Sequence, residues 1–192
     1  MPPRTITLPA PDTTGGMPLM DALSKRHSAR EFASTELPLQ VLSNLLWAAW
    51  GVNRPDGRRT APSASNRQEI DVYVAAASGL YLFDAKDHRL EPVLPDDVRA
   101  ATGTQAYAAT AAVNLVYVAD YARMGQSSAE DKAIYAGADT GFISQNVYLY
   151  CASQGLATVV RASIDRAALA KTMKLRPEQR IVLAQTVGYP KK

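Results

Sequence analysis

The residues best suited to chemistry lie in "KRHSAREF", Lys25 to Phe32. Lys25, Arg26, His27 and Arg30 surround one hydroxyl, Ser28, directly after an apolar segment. Arg26, Ser28 and Arg30 are spaced two apart and can converge on a phosphate. Each guanidinium offers a fork of donors and the hydroxyl adds another. The plainer alternative is a charge cluster on a solvated face, which is the commoner outcome for either arginine alone. A second stretch, "PSASNRQ", offers Ser63, Ser65, Asn66 and Gln68. These polar groups suit the edge of a heterocycle, or merely a capping loop. The C-terminal strand with its end, "GYPKK", completes the set.

Composition narrows the chemistry. The chain has 192 residues, 47% hydrophobic and 20% charged, with a net charge of +3. That is ordinary globular composition, and the charge is too weak for a nucleic-acid partner, which needs a basic stripe. One cysteine, Cys151, permits no internal disulfide and no cysteine metal cluster. Two histidines are too few for a histidine metal site unless carboxylates do most of the work. No metal is expected. The lone cysteine fits a reducing compartment, so a cytoplasmic location is expected, or an exported form if a leader was removed. No run of about 18 apolar residues exists to span a membrane. The N-terminal residues 1–16 are rich in Pro and Gly, lack an apolar core and read as an extended arm.

The elements that must position these residues follow from periodicity. Leu19, Met20 and Leu23 suit a short helix. "PLQVLSNLLWAAWG" suits a second, with Pro38 at its start and Gly51 at its stop. "VNRPDGRRTAPSASNRQ" reads as a long loop, and loops of that length are often functional. "EIDVYVAAA" reads as a strand, and "GLYLFDAKDHRLEPV" as a hairpin turning at Ala85 to His88, with His88 solvated. "DDVRAATGTQAYAATA" is helical or mixed, and Tyr107 within it is a candidate pocket residue. "AVNLVYVAD" is a strand buried on both faces. Ala129 to Gln154 forms the longest helix, apolar on more than one face and ended by Gly155. "LATVVR", "DRAALAKTMKL" and "RIVLAQTVGYP" follow as strand, helix and strand. Trp47 and Trp50 read as core or dimer packing. Tyr135, Tyr148 and Tyr150 read as interface residues, and Cys151 as a small buried apolar group. Asp139 pairs across a dimer or serves a local network. Residues 17–192 form one α+β domain.

The order of these stretches resembles the FMN-dependent nitroreductase family. The likeness runs from "ALSKRHSAREF" through "LLWAAWGVNRPDGRRTAPSASNRQEIDVYV" and "GADTGFISQNVYLYCASQGLATVVRASID" to "VLAQTVGYPKK". The "GVNRPDGRRTAPSA" form is most similar to the SagB-type branch, which includes azoline dehydrogenases of peptide-modifying clusters. The resemblance implies a mainly antiparallel sheet flanked by helices. It also implies an intertwined homodimer with FMN at the subunit interface.

Carried over position by position, the resemblance gives Arg26 and Ser28 the FMN phosphate and ribityl chain, and lays the main chain of His27 along the same cofactor. It puts Arg30 near flavin N1 and the C2 carbonyl. There a fixed positive charge stabilises the anionic reduced flavin and raises its potential. Asn66 and Gln68 match the loop that reads the pyrimidine edge, with Ser63 and Ala64 against the partner's flavin. Val160 to Ser163 match the segment facing N5, with the backbone N–H of Ala162 as its donor. Arg161 reaches either the phosphate or the substrate.

The chain departs from the pattern at Ala162-Ser163, where many members carry Glu-Gly or Gly-Gly. It departs again at its end, where only Lys191 and Lys192 follow "GYP"; Lys192 is the expected phosphate contact. No side-chain acid or nucleophile is demanded, because the flavin does the redox work. The implied function is hydride transfer from NAD(P)H through FMN to a nitroaromatic or quinone. The alternatives are oxidation of a peptide heterocycle, or flavin binding with little turnover.

Overall fold

The computed structural model describes residues 4–191. Seven strands form one sheet in the order β1-β4-β3-β2-β5-β7-β6, and every paired neighbour runs antiparallel. The strands are β1 (Ile6–Thr7), β2 (Ile70–Ala76), β3 (Gly79–Asp84), β4 (Arg89–Leu94), β5 (Val113–Asp120), β6 (Ala157–Arg161) and β7 (Gln179–Gly188). Four helices accompany them: α1 (Leu19–Lys25), α2 (Leu39–Trp50), α3 (Ala129–Gln154) and α4 (Arg166–Thr172).

All of β5 is buried, and its alternation explains why. Val113, Leu115, Tyr117 and Ala119 point into the core beneath α2 and α3, with Leu45, Leu46, Ile143 and Val147. Val116 and Val118 point the other way, into a second core with Ile164, Leu169 and Met173 from the α4 side. Successive strand side chains face opposite ways, so a strand covered by helices on both faces must be apolar throughout. The expected α+β fold, with helices flanking an antiparallel sheet, is the fold observed.

Helix boundaries follow their chemistry. Ser128 caps α3 by accepting the N–H of Asp131 at 3.0 Å, and Glu130 and Asp131 favour its positive end. Gly155 ends α3 with φ at +67°, a conformation that glycine adopts without strain. The stretch read as helical or mixed before β5 is two short 3₁₀ turns, Arg99–Thr102 and Ala106–Ala109.

The expected hairpin turn at Ala85 to His88 is present, but His88 is not the solvated residue anticipated. It is half-buried, its Nε2 lies 2.7 Å from Ser43 Oγ, and its ring meets Phe83 edge-on. Burial lowers its pKa. Trp50 is core, while Trp47 is half-buried and donates to the carbonyl of Val52. In the N-terminal arm, Ile6 and Thr7 pair with β4, and Leu8 is buried. No helix among the described residues is long and apolar enough to cross a membrane.

Candidate functional site

The Lys25–Phe32 stretch runs from the end of α1 across the far edge of the sheet. Ala29 N–H donates to the carbonyl of Thr158 at 2.9 Å, which lays the stretch beside β6. Ala33 N–H donates to the carbonyl of Tyr189 at 2.9 Å, and Phe32 bridges to Pro190. Three of the four stretches that the residues and the resemblance single out therefore meet: the basic motif, Val159–Ser163 and the chain end. Lys191 is exposed and its N–H faces the carbonyl of Glu31. Lys192 lies outside the described residues.

Tyr148 is the hub of this cluster, and the sequence reading missed it. Expected as an interface residue, it is 7% exposed within its own chain. Its hydroxyl lies 2.8 Å from Ser28 Oγ and accepts the N–H of Val160 at 3.0 Å, and the guanidinium of Arg26 lies over its ring at 5.2 Å. Tyr148 is 120 residues from Ser28 in sequence, so no local pattern could join them. Tyr150, the neighbour assigned the same role, is half-buried with its hydroxyl on the carbonyl of Val41, and Tyr135 is exposed.

Arg26 is half-buried and Arg30 exposed, and neither forms a salt bridge among the described residues. His27 is exposed, its Nδ1 on the carbonyl of Lys25. Ala162 and Ser163 are exposed at the end of β6. Positive donors, a hydroxyl and the exposed Ala162–Ser163 segment, whose carbonyls accept the N–H groups of Ile164 and Thr104, thus lie along the same edge of the sheet. Tyr107 stands beside them, its ring 5.4 Å from Phe32.

Arg161 departs from its expected reach toward a phosphate or substrate. It is 5% exposed, and its guanidinium donates to the carbonyl of Thr102 at 2.7 Å, to Asn114 Oδ1 at 2.9 Å and to Thr186 Oγ1 at 3.0 Å. Gly103 lies over it so closely that a Cβ there would fall 1.8 Å from Arg161 Nη1. The alternation of β6 turns this side chain inward, where it ties the 3₁₀ turns to the sheet.

The fourth stretch sits elsewhere. Ala64 N–H donates to Asp139 Oδ2 at 2.9 Å, so the Ser63–Gln68 loop is fastened to the middle of α3. Asp139 thus serves a local contact. Gln68 N–H donates to Ser63 Oγ, and Gln68 Nε2 donates to Asn66 Oδ1 and to the carbonyl of Gly57. Ser65, Asn66 and Gln68 all have φ near +50°, a region that non-glycine residues rarely occupy and that clusters at ligand sites. Arg54, Arg58 and Arg59 line a shallow cavity of about 410 Å³ next to Ser63 and Asn66.

Asp139 precedes Tyr148 by nine residues, which is roughly 14 Å of axial rise and half a turn of azimuth on a helix. The loop and the basic motif therefore hold α3 at separate heights and on opposite sides. One chain alone does not bring them together. Among the described residues no cluster of His, Cys, Asp and Glu is arranged to hold a metal ion.

Known proteins share this fold. A sequence model of the nitroreductase family matches residues 23–189. A protein of Methanocaldococcus jannaschii described as a nitroreductase is 33% identical over 151 residues, covering 73% of this chain and 76% of the relative. A crystal structure from Ralstonia eutropha, also described as a nitroreductase, superimposes with a TM-score of 0.94 at 46% identity, covering 99% of this chain and 91% of that one. An NADPH:FMN oxidoreductase from Vibrio harveyi, solved with NAD+, superimposes with a TM-score of 0.70 over 91% of this chain and 69% of that one. At 19% identity, that likeness speaks for the fold alone.

Proposed function

The chain belongs to the nitroreductase family, and from that premise we propose that it is an FMN-dependent oxidoreductase. It takes hydride from NAD(P)H and delivers it to an electron-poor small molecule such as a nitroaromatic or a quinone. One observation carries the reading: Arg26 and Arg30, without salt bridges among the described residues, stand with Ser28 and the exposed Ala162–Ser163 segment at one edge of the sheet. This donor set fits a phosphorylated, electron-accepting cofactor.

FMN, when bound, supplies the redox chemistry. The chain supplies position and charge. Arg26 holds the phosphate with Ser28, and Tyr148 fixes both by stacking under the guanidinium and touching the hydroxyl. The main chain of His27 follows the cofactor. Arg30 provides positive charge at the edge where electron density accumulates on reduction. The N–H of Ala162 would donate to the reactive nitrogen of the bound flavin, with Val160 and Ser163 beside it.

Ser63, Ala64, Asn66 and Gln68 complete the site from a second copy of the chain, in keeping with their separation from Arg26 along α3. Leu19, Met20 and Leu23 on α1 and Ile134, Tyr135 and Phe142 on α3 are exposed apolar groups fit to bury in a homodimer. The arm at 1–16 and the domain at 17–192 serve as one unit in this reading. Placement in the SagB-type branch rests on the loop sequence, and it makes a peptide heterocycle the alternative substrate.

Steady-state assays separate the two. NADPH consumption that depends on menadione or a nitroaromatic supports the reductase. Turnover of an azoline peptide with oxygen, without NADPH consumption, replaces it with the dehydrogenase.

A further inference from the structure

Glu69 begins the step from the loop into β2, and its side chain is wholly buried. Neither carboxyl oxygen meets a donor among the described residues. What it meets is Asp139, itself 2% exposed, in side-chain hydrogen-bonding contact. Two carboxylates do not hydrogen-bond to each other unless one carries a proton, and burying both as anions is far costlier than binding that proton.

The surroundings do not neutralise a second charge. Arg123 is the cation that faces Glu69, but its N–H groups donate to the main-chain carbonyls of Gln68 and Glu69. Its charge is engaged by Asp71 at 2.6 Å and Asp120 at 3.6 Å. Asp139, from α3, is the other charged group facing it. Asp139 Oδ2 takes the N–H of Ala64, a hydrogen bond that is stronger to a charged acceptor, which leaves Glu69 as the donor of the pair.

We propose that Glu69 keeps a proton and donates it to Asp139, and that the pair fastens the strained Ser63–Gln68 loop through the amide of Ala64. Glu69 is a positioning residue in this scheme. It reaches the loop only through Asp139.

Burial, aided by Asp139, raises the Glu69 pKa to about 7. An unfolded glutamate ionises at about 4.3, so the folded chain holds the proton more tightly. The associated stability is complete below the unfolded value and is lost as pH rises to the folded one. The folding equilibrium falls by roughly a few hundred-fold across that window, other groups aside. Past neutrality the pair carries two negative charges, and the anchor on Ala64 loosens.

The test is hydrogen exchange at the Ala64 amide, corrected for intrinsic rates, in the whole protein from about pH 6 to pH 8. Wild type should lose at least about tenfold of its protection over that range, while Glu69→Gln, a permanently neutral donor, should keep it. No loss in wild type, or the same loss in Glu69→Gln, overturns the proposal. Protection restored at pH 8 by Mg²⁺ or Ca²⁺ also overturns it, by showing a cation site.

If the variant does not fold, isotope-edited infrared spectroscopy of wild type decides. A glutamic-acid carbonyl band at pH 6 that disappears by pH 8 supports the pair, and its absence at pH 6 refutes it. The pair does not depend on the cofactor reading. If the switch appears but FMN never binds, the pair stands and the flavin assignment falls.

Discussion

Arg26 lies over the Tyr148 ring and has no salt bridge among the described residues, so its charge is available to a ligand. Arg26→Ala should weaken FMN binding by about 1.5–3 kcal/mol, the worth of a charge-assisted contact; fluorescence titration measures it, and unchanged affinity would remove Arg26 from the phosphate site. Arg30→Ala should lower the flavin midpoint potential more than it lowers affinity. Potentiometry showing no shift would end its electrostatic role. Tyr148→Phe strips a hydroxyl that meets both Ser28 and the N–H of Val160. It should cost about 1 kcal/mol of stability by leaving the half-buried N–H of Val160 unmet, read by denaturant unfolding. At this scale the sequence exposed the residues that stand close together along the chain. The alternating spacing of Arg26, Ser28 and Arg30 was visible without a structure. Tyr148, Glu69 and the inward turn of Arg161 were not, because each is defined by partners from distant segments.

The two most informative elements are α3 and β6. Helix α3 carries the loop at Asp139 and the basic motif at Tyr148, with Cys151 fully buried one turn later. Burial pushes the Cys151 thiol well up, so a thiol reagent should label it only when the protein is unfolded; rapid labelling of the native protein would mean that the C-terminal turn of α3 opens. Strand β6 presents Arg161 beneath Gly103, with no room for a methyl group between them. Gly103→Ala should therefore destabilise by about 1–3 kcal/mol through overpacking, and an unchanged melting temperature would show that the turn can shift. Helix and strand identities were legible in apolar periodicity, most clearly in β5 and α3. The 3₁₀ turns before β5 were not, since their geometry is set by the buried Arg161 network rather than by their own sequence.

For the molecule as a whole, the sheet order brings three of the four sequence stretches to one edge and leaves the fourth on the opposite side of α3. The exposed apolar face of α1 and α3 then becomes the expected seam between two copies. Phe142→Glu should shift the sedimentation behaviour from dimer to monomer and lower FMN occupancy with it; a monomeric wild type that binds FMN fully would refute the shared site. The fold class was readable because both cores demand the same alternation along the central strands. The proposed division of the site between chains came from the family resemblance alone, because no local pattern tells where the loop lands on α3. The most direct measurement is the absorbance spectrum of the purified protein, taken before and after anaerobic addition of NADPH. Flavin bands that bleach on addition are the predicted result. A protein with no flavin bands even after FMN is supplied would contradict the account, leaving "KRHSAREF" as a solvated cluster of charge.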